Sequence, residues 1–217
     1  LGKQIGKLAE LTKIAHQLGL TKEKNIFLEV IKNELENWFT LNGSNGDKQF
    51  VYNMQWDTLQ GYPASFESDG ELNDHHFHYG YFIQAASVLA QFGVLDSDGK
   101  LWASEQSYGG VVNFLIKDAS NYDESDTYFT EFRMFDRYAG YNYASGHGAF
   151  PNPHDGNLNY GNNQESSSES INYATALINW GTYAPVSDAK AIRDAGIYLY
   201  TTEGVAIDYY WFDRNDK

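Results

Sequence analysis

Along most of the chain the hydrophobic positions recur at helical spacing. Leu8, Leu11, Ala15 and Leu18 form one stripe that Gly19 ends, and Phe27, Val30, Ile31, Leu35 and Trp38 form a second that opens at Thr21. Together they predict an α-hairpin with a tight Gly-Leu-Thr connection. Residues 74–93 are apolar almost all the way round, with Phe77, Tyr81, Phe82, Ile83, Val88, Leu89 and Phe92, which is the mark of a helix enclosed on several sides. After a turn over residues 95–99, a further helical pattern runs to about Ala119 and carries Trp102, Val111, Val112, Leu115 and Ile116. Residues 166–180 and 187–202 predict a third hairpin, through Ile171, Ala174, Leu177 and Ile178, then Ala189, Ile192, Ala195, Gly196 and Leu199.

Two stretches break this pattern. Residues 41–47 are polar and lead into an irregular aromatic segment with Trp56, Tyr62, Pro63 and Phe66. Residues 121–164 are rich in Tyr, Asn, Gly and Asp, and a loop of that length is usually functional. Strand-like alternation is scarce, so the fold class is all-α. Three consecutive hairpins, with the enclosed helix coming first in the second and third, suggest a closed ring or a solenoid, and this chain supplies roughly half of a ring.

Composition narrows the function. The 217 residues fit one domain, and the absence of Cys excludes disulfides and thiolate metal sites. Lys and Arg number 15 against 29 Asp and Glu, a net charge of −14 that repels phosphate backbones and anionic lipid, so neither nucleic acid nor a membrane is expected as a partner. Aromatic residues make up 16% of the chain, too many for a disordered acidic tail. No apolar run reaches the ~18 residues of a spanning helix. No charged start with an apolar segment follows Leu1, so the chain reads as an internal piece of a longer protein.

Two polar clusters could carry chemistry, and both fall where an enclosed helix is predicted to begin. The first is Asn73-Asp-His-His-Phe-His-Tyr-Gly-Tyr-Phe82, in which Asp74 and His78 share a helix face. Its structural alternative makes Asn73 or Asp74 an N-cap and the histidines packing residues. A metal site would need three or four converging ligands at recognisable spacing, which is absent. The second is Asn162-Asn-Gln-Glu-Ser-Ser-Ser-Glu-Ser170, where Glu165 and Glu169 share a face; its alternative is a Ser-rich cap and a solvated acidic turn. If the enclosed helices run in one direction, Asp74 and the glutamates meet at one end of the ring. Paired carboxylates beside many aromatic rings suit glycosidic bond cleavage without a cofactor.

In the same order along the chain, Asn73-Asp-His-His-Phe-His-Tyr-Gly-Tyr-Phe82, Arg133-Met-Phe-Asp136 with Ala144-Ser-Gly146, and Asn163-Gln-Glu-Ser-Ser-Ser-Glu169 with Trp180-Gly181 resemble the motifs of glycoside hydrolase family 81. The resemblance implies an endo-β-1,3-glucanase acting on laminarin, curdlan or fungal wall glucan with inversion, and an (α/α)6 toroid of which residues 1–217 are a partial catalytic domain without the family's N-terminal β-sandwich. Carried over by motif, Asp74 is the general acid and Glu165 the general base, with Glu169 its neighbour or the base itself. His78, Tyr79, Tyr138, Asn163, Gln164 and Trp56 are candidate glucan-binding residues. Tyr141-Asn-Tyr143 stands where the family usually has His-Ser-Trp. The resemblance further implies a β-1,3-glucan partner, no metal or other cofactor, a monomer and secretion. The competing readings are a silent glucan-binding module, a helical interaction scaffold and an inverting toroidal hydrolase of another glycan.

Overall fold

The computed structural model describes residues 2–40, 48–146 and 161–213. Among the described residues six α-helices carry the fold: α1 (Lys3–Gln17), α2 (Thr21–Phe39), α3 (His75–Gln91), α4 (Gly109–Ser120), α5 (Ser167–Tyr183) and α6 (Ala189–Tyr210). They pair as three hairpins in chain order, as the spacing predicts. Helices α1, α3 and α5 lie side by side, with α2, α4 and α6 as partners of the helix before each. The inner three run in one direction. Gly6 meets Tyr81 and Glu10 meets Gln84 along α1 and α3, while His76 meets Ser170 and Gly80 meets Tyr173 along α3 and α5. The N-termini of α3 and α5 therefore share one end of the layer.

The core follows from which faces can leave water. Helix α3 is buried from His75 to Leu89 apart from Tyr81, which fits its nearly uninterrupted apolar sequence. Two tryptophans anchor the outer helices while keeping their N–H groups satisfied: Trp180 donates to Asn113 Oδ1 at 2.9 Å and Trp102 to Glu36 Oε1 at 3.1 Å. Helices α5 and α6 approach so closely that a β-carbon at Gly181 would sit 2.4 Å from the Ala189 carbonyl oxygen, which requires glycine there.

Several expectations are corrected. The aromatic segment after residue 47 is not irregular throughout, because β1 (Gln49–Asn53) and β2 (Thr58–Tyr62) form an antiparallel hairpin with Phe50 opposite Gly61. Phe50 closes the gap between α2 and α3, its ring 5.3 Å from both Trp38 and Phe82. Within residues 121–164, β3 (Phe135–Asp136) and β4 (Tyr141–Asn142) make a minimal ladder. Trp102 precedes α4 rather than lying in it. On α1 the buried face is Ile5, Ala9, Thr12 and Ala15, so Leu11 and Leu18 of the expected stripe are exposed, as is Val30 on α2. The polar loop at 41–47 and residues 147–160 lie outside the described residues.

Candidate active site

Helix α3 begins where Asp74 turns the chain through the left-handed region, at φ 58° and ψ 9°. Asp74 occupies the N-cap position, yet its carboxylate makes no capping bond to the helix, which removes the capping explanation for its presence. Asn73 Nδ2 donates to Asp74 Oδ2 at 3.1 Å. The other oxygen, Oδ1, is buried with no partner among the described residues. An unsatisfied buried carboxylate oxygen is costly and marks a position kept for a ligand or a proton.

A buried network holds this turn. Asp118, at the end of α4 and fully buried, accepts from the Leu59 backbone N–H at 2.7 Å, from His75 Nδ1 at 2.7 Å and from Arg133 Nη2 at 2.8 Å. His75 Nε2 donates to the Ser68 carbonyl at 2.9 Å, and Arg133 Nη1 donates to the Leu72 carbonyl at 3.1 Å. The residues on both sides of Asp74 are thus tied to α4, β2 and the loop before α3. Burial alone would raise the Asp118 carboxyl, but the Arg133 and His75 charges outweigh it and hold the group below its usual range.

Glu165 has the same positive φ as Asp74, 58°. Its N–H donates to Asn163 Oδ1 at 3.1 Å, and Ser166 caps α5 by accepting from the Glu169 N–H at 3.4 Å. Tyr81 on α3 donates to Glu169 Oε1 at 2.5 Å, and Lys3 on α1 stands 3.6 Å from the same oxygen. Burial would raise Glu169, yet the bonds from Tyr81 and Ser166 and the Lys3 charge hold it below its ordinary value, so it is anionic.

The acid and the glutamates are joined through the backbone. The Asp74 N–H donates to the Ala144 carbonyl at 2.9 Å, and the Ala144 N–H donates to the Asn163 carbonyl at 2.7 Å. Two residues on, Gly146 has φ 58°, and a β-carbon there would lie 2.1 Å from the Glu71 carbonyl oxygen. The Ala-Ser-Gly string is therefore a spacer between the two halves of the site.

The electrostatics separate their roles. Burial, then the nearby Glu165 and Glu169 charges, push Asp74 up to about 7, so a substantial fraction stays protonated near neutrality. The α3 N-terminus, which favours an anion, does not prevent this. Burial, with His75 nearby, lowers His78 to about 3, so His78 is neutral. Among the described residues no group of three or more His, Cys, Asp or Glu is placed to hold a metal ion.

The description "Glycosyl hydrolase family 81 C-terminal domain" fits residues 1–217 as a family model. The chain belongs to glycoside hydrolase family 81. It is 49% identical over 98% of its length to a "Glucan endo-1,3-beta-D-glucosidase" of Acetivibrio thermocellus, covering 25% of that protein. It is 42% identical over 97% of its length to one of Thermobifida fusca, covering 26% of it. A solved family 81 structure from Clostridium thermocellum superposes with a TM-score of 0.83 at 46% identity, over 99% of this chain and 28% of that one. The chain thus spans about a quarter of the length of the curated relatives it matches.

Within this family 81 chain, Asp74 lies within electrostatic reach of Glu165 and Glu169, with His78 one turn along α3 from Asp74. Asn163 is exposed beside them. Two expected glucan contacts are corrected. Tyr79 is 1% exposed and its hydroxyl donates to the Leu59 carbonyl at 2.5 Å, so it is a core residue. Gln164 is buried, with both ends of its amide engaged by Glu203 and Trp211. Tyr138 is fully exposed beside an open groove with Tyr209 and Tyr210, and Trp56 is half-exposed in the β1–β2 turn. Sequence reasoning missed Asp118 and Glu203, whose partners are remote in sequence.

Proposed function

We propose that this chain carries the acid and the base of an endo-acting β-1,3-glucan hydrolase that inverts the anomeric centre. The observation that carries the reading is Asp74: buried, with Oδ1 unpartnered among the described residues, and close enough to Glu165 and Glu169 for their charges to raise its carboxyl. The relatives are glucan endo-1,3-beta-D-glucosidases, which supplies the substrate class, a β-1,3-glucan. The helical hairpins then form part of an (α/α)6 toroid within a longer, monomeric, secreted catalytic polypeptide. Secretion accords with a polymeric substrate, and among the described residues no helix is long and apolar enough to cross a membrane.

In this reading the Asp74 carboxyl gives its proton to the glycosidic oxygen as the C1–O bond breaks. A water attacks C1 from the opposite face, and Glu165 takes the proton that the water loses. The β-linkage yields an α-configured reducing end, with Asp74 left ionised and Glu165 protonated until both exchange with solvent. Glu169 keeps its negative charge beside them, oriented by Tyr81. Neutral His78 lines the cleft near the acid. Asn163, Trp56 and Tyr138 are glucan contacts, and the rings suit the apolar faces of sugars.

A reducing-sugar assay on laminarin tests this with Asp74→Asn and Glu165→Gln in the native polypeptide containing these 217 residues. Each variant is expected to lose turnover by orders of magnitude while glucan binding survives. Near-normal turnover in either removes that residue from its role.

A further inference from the structure

Glu203 on α6 is a fully buried carboxylate with no cation within ion-pair distance among the described residues. Burying an acid without a counter-charge costs free energy unless several donors surround it. Here the donors are neutral. Gln164 Nε2 donates to Oε1 at 2.7 Å, Asn142 Nδ2 to Oε2 at 2.7 Å and the Asn142 backbone N–H to Oε2 at 3.3 Å, and the Ser170 hydroxyl also donates.

Each donor adjoins the chemistry. Gln164 immediately precedes Glu165, and Ser170 immediately follows Glu169. Asn142 is two residues from Ala144, which bonds the backbones of both Asp74 and Asn163. The Gln164 amide cannot turn over, because its oxygen accepts from Trp211 Nε1 at 2.5 Å while its nitrogen faces Glu203. Glu165, next in the chain, is held in a left-handed conformation that a long side chain rarely adopts.

We propose that Glu203 is a positioning residue for catalysis: through Gln164 it fixes the backbone that aims the Glu165 carboxylate at the attacking water. The inference rests on the acid and base assignment above. It differs from a simple bolt between α6 and the loop, because a bolt would act on stability and substrate affinity rather than on the water-activating step.

The test uses Glu203→Gln and Gln164→Met in the native polypeptide containing these 217 residues. In Glu203→Gln an amide NH2 must face one of the neighbouring donors. In Gln164→Met only the arm to Glu165 is cut, so this variant decides alone if Glu203→Gln does not fold. Both are expected to lower kcat on laminarin about tenfold or more with KM within about twofold. The same loss should persist on β-laminaribiosyl fluoride, whose leaving group needs no acid but whose hydrolysis still needs an activated water. A kcat within twofold of wild type overturns the inference, and so does a loss that disappears on the fluoride, which would place the defect at Asp74. If Glu165→Gln itself keeps wild-type turnover, the base assignment fails and the inference falls with it. An inactive Glu165→Gln with normal Gln164→Met overturns the inference alone.

Discussion

Asp74 and Glu165 share one unusual backbone angle: each has φ 58°, Asp74 directly before α3 and Glu165 one residue before the cap of α5. For a residue with a β-carbon this conformation costs about 1–2 kcal/mol. Such strain falls at two helix starts that both bear carboxylates, and the Glu165 charge is close enough to raise the Asp74 carboxyl.

Glu165→Gly releases that strain. The expected result is loss of turnover with stability unchanged or raised by up to about 1 kcal/mol, read by chemical denaturation. A clear fall in stability would mean that the left-handed turn is not strained.

As the proposed acid, Asp74 acts in its protonated form, and burial with the neighbouring glutamate charges pushes its carboxyl up to about 7. The kcat/KM profile should therefore fall as pH rises through about 7. The neighbouring glutamates contribute to that raised value, so in Glu169→Gln the alkaline limb should move to lower pH. An unmoved limb would show that the carboxylates do not sense each other.

The same shift makes Asp74 a stability liability. Its folded value of about 7 lies above an ordinary Asp value of about 3.9, so the native state binds the proton more tightly and loses stability as pH rises between them. Asp74→Asn should be more stable than wild type by up to about 4 kcal/mol at pH 8, with the gap closing near pH 4. Denaturant melts at the two pH values check this.

Asp118 behaves in the opposite sense. Its folded value is depressed, so its contribution is present above the ordinary Asp range and is lost as pH falls through the folded value. Asp118→Asn leaves Arg133 without its anionic partner and should destabilise the fold by about 3–5 kcal/mol at neutral pH. A change below about 1 kcal/mol would contradict the network's role.

The sequence made α3 and α5 legible because their apolar positions keep helical spacing over several turns and a polar cluster marks each start. The β1–β2 hairpin escaped because five-residue strands give too little alternation to distinguish Phe50 and Tyr52 from an aromatic loop. On α1, Leu11 and Leu18 outweighed the smaller Ala9, Thr12 and Ala15 that face the core. Asp74, Glu165 and Glu169 stood out as dense polar clusters, whereas Glu203 sits alone. One signal could have found it: Leu199, Glu203 and Ala206 lie on one buried stripe of α6, where a lone acid needs a purpose.

Hydrolysis with inversion by Asp74 and Glu165 is read in the anomeric configuration of the product. Proton NMR of laminarin digested by the native polypeptide should show the α-anomer of the new reducing end first, with the β-anomer growing in by mutarotation. The β-anomer appearing first would mean retention through a covalent intermediate, and Glu165 would then not be a base acting on water.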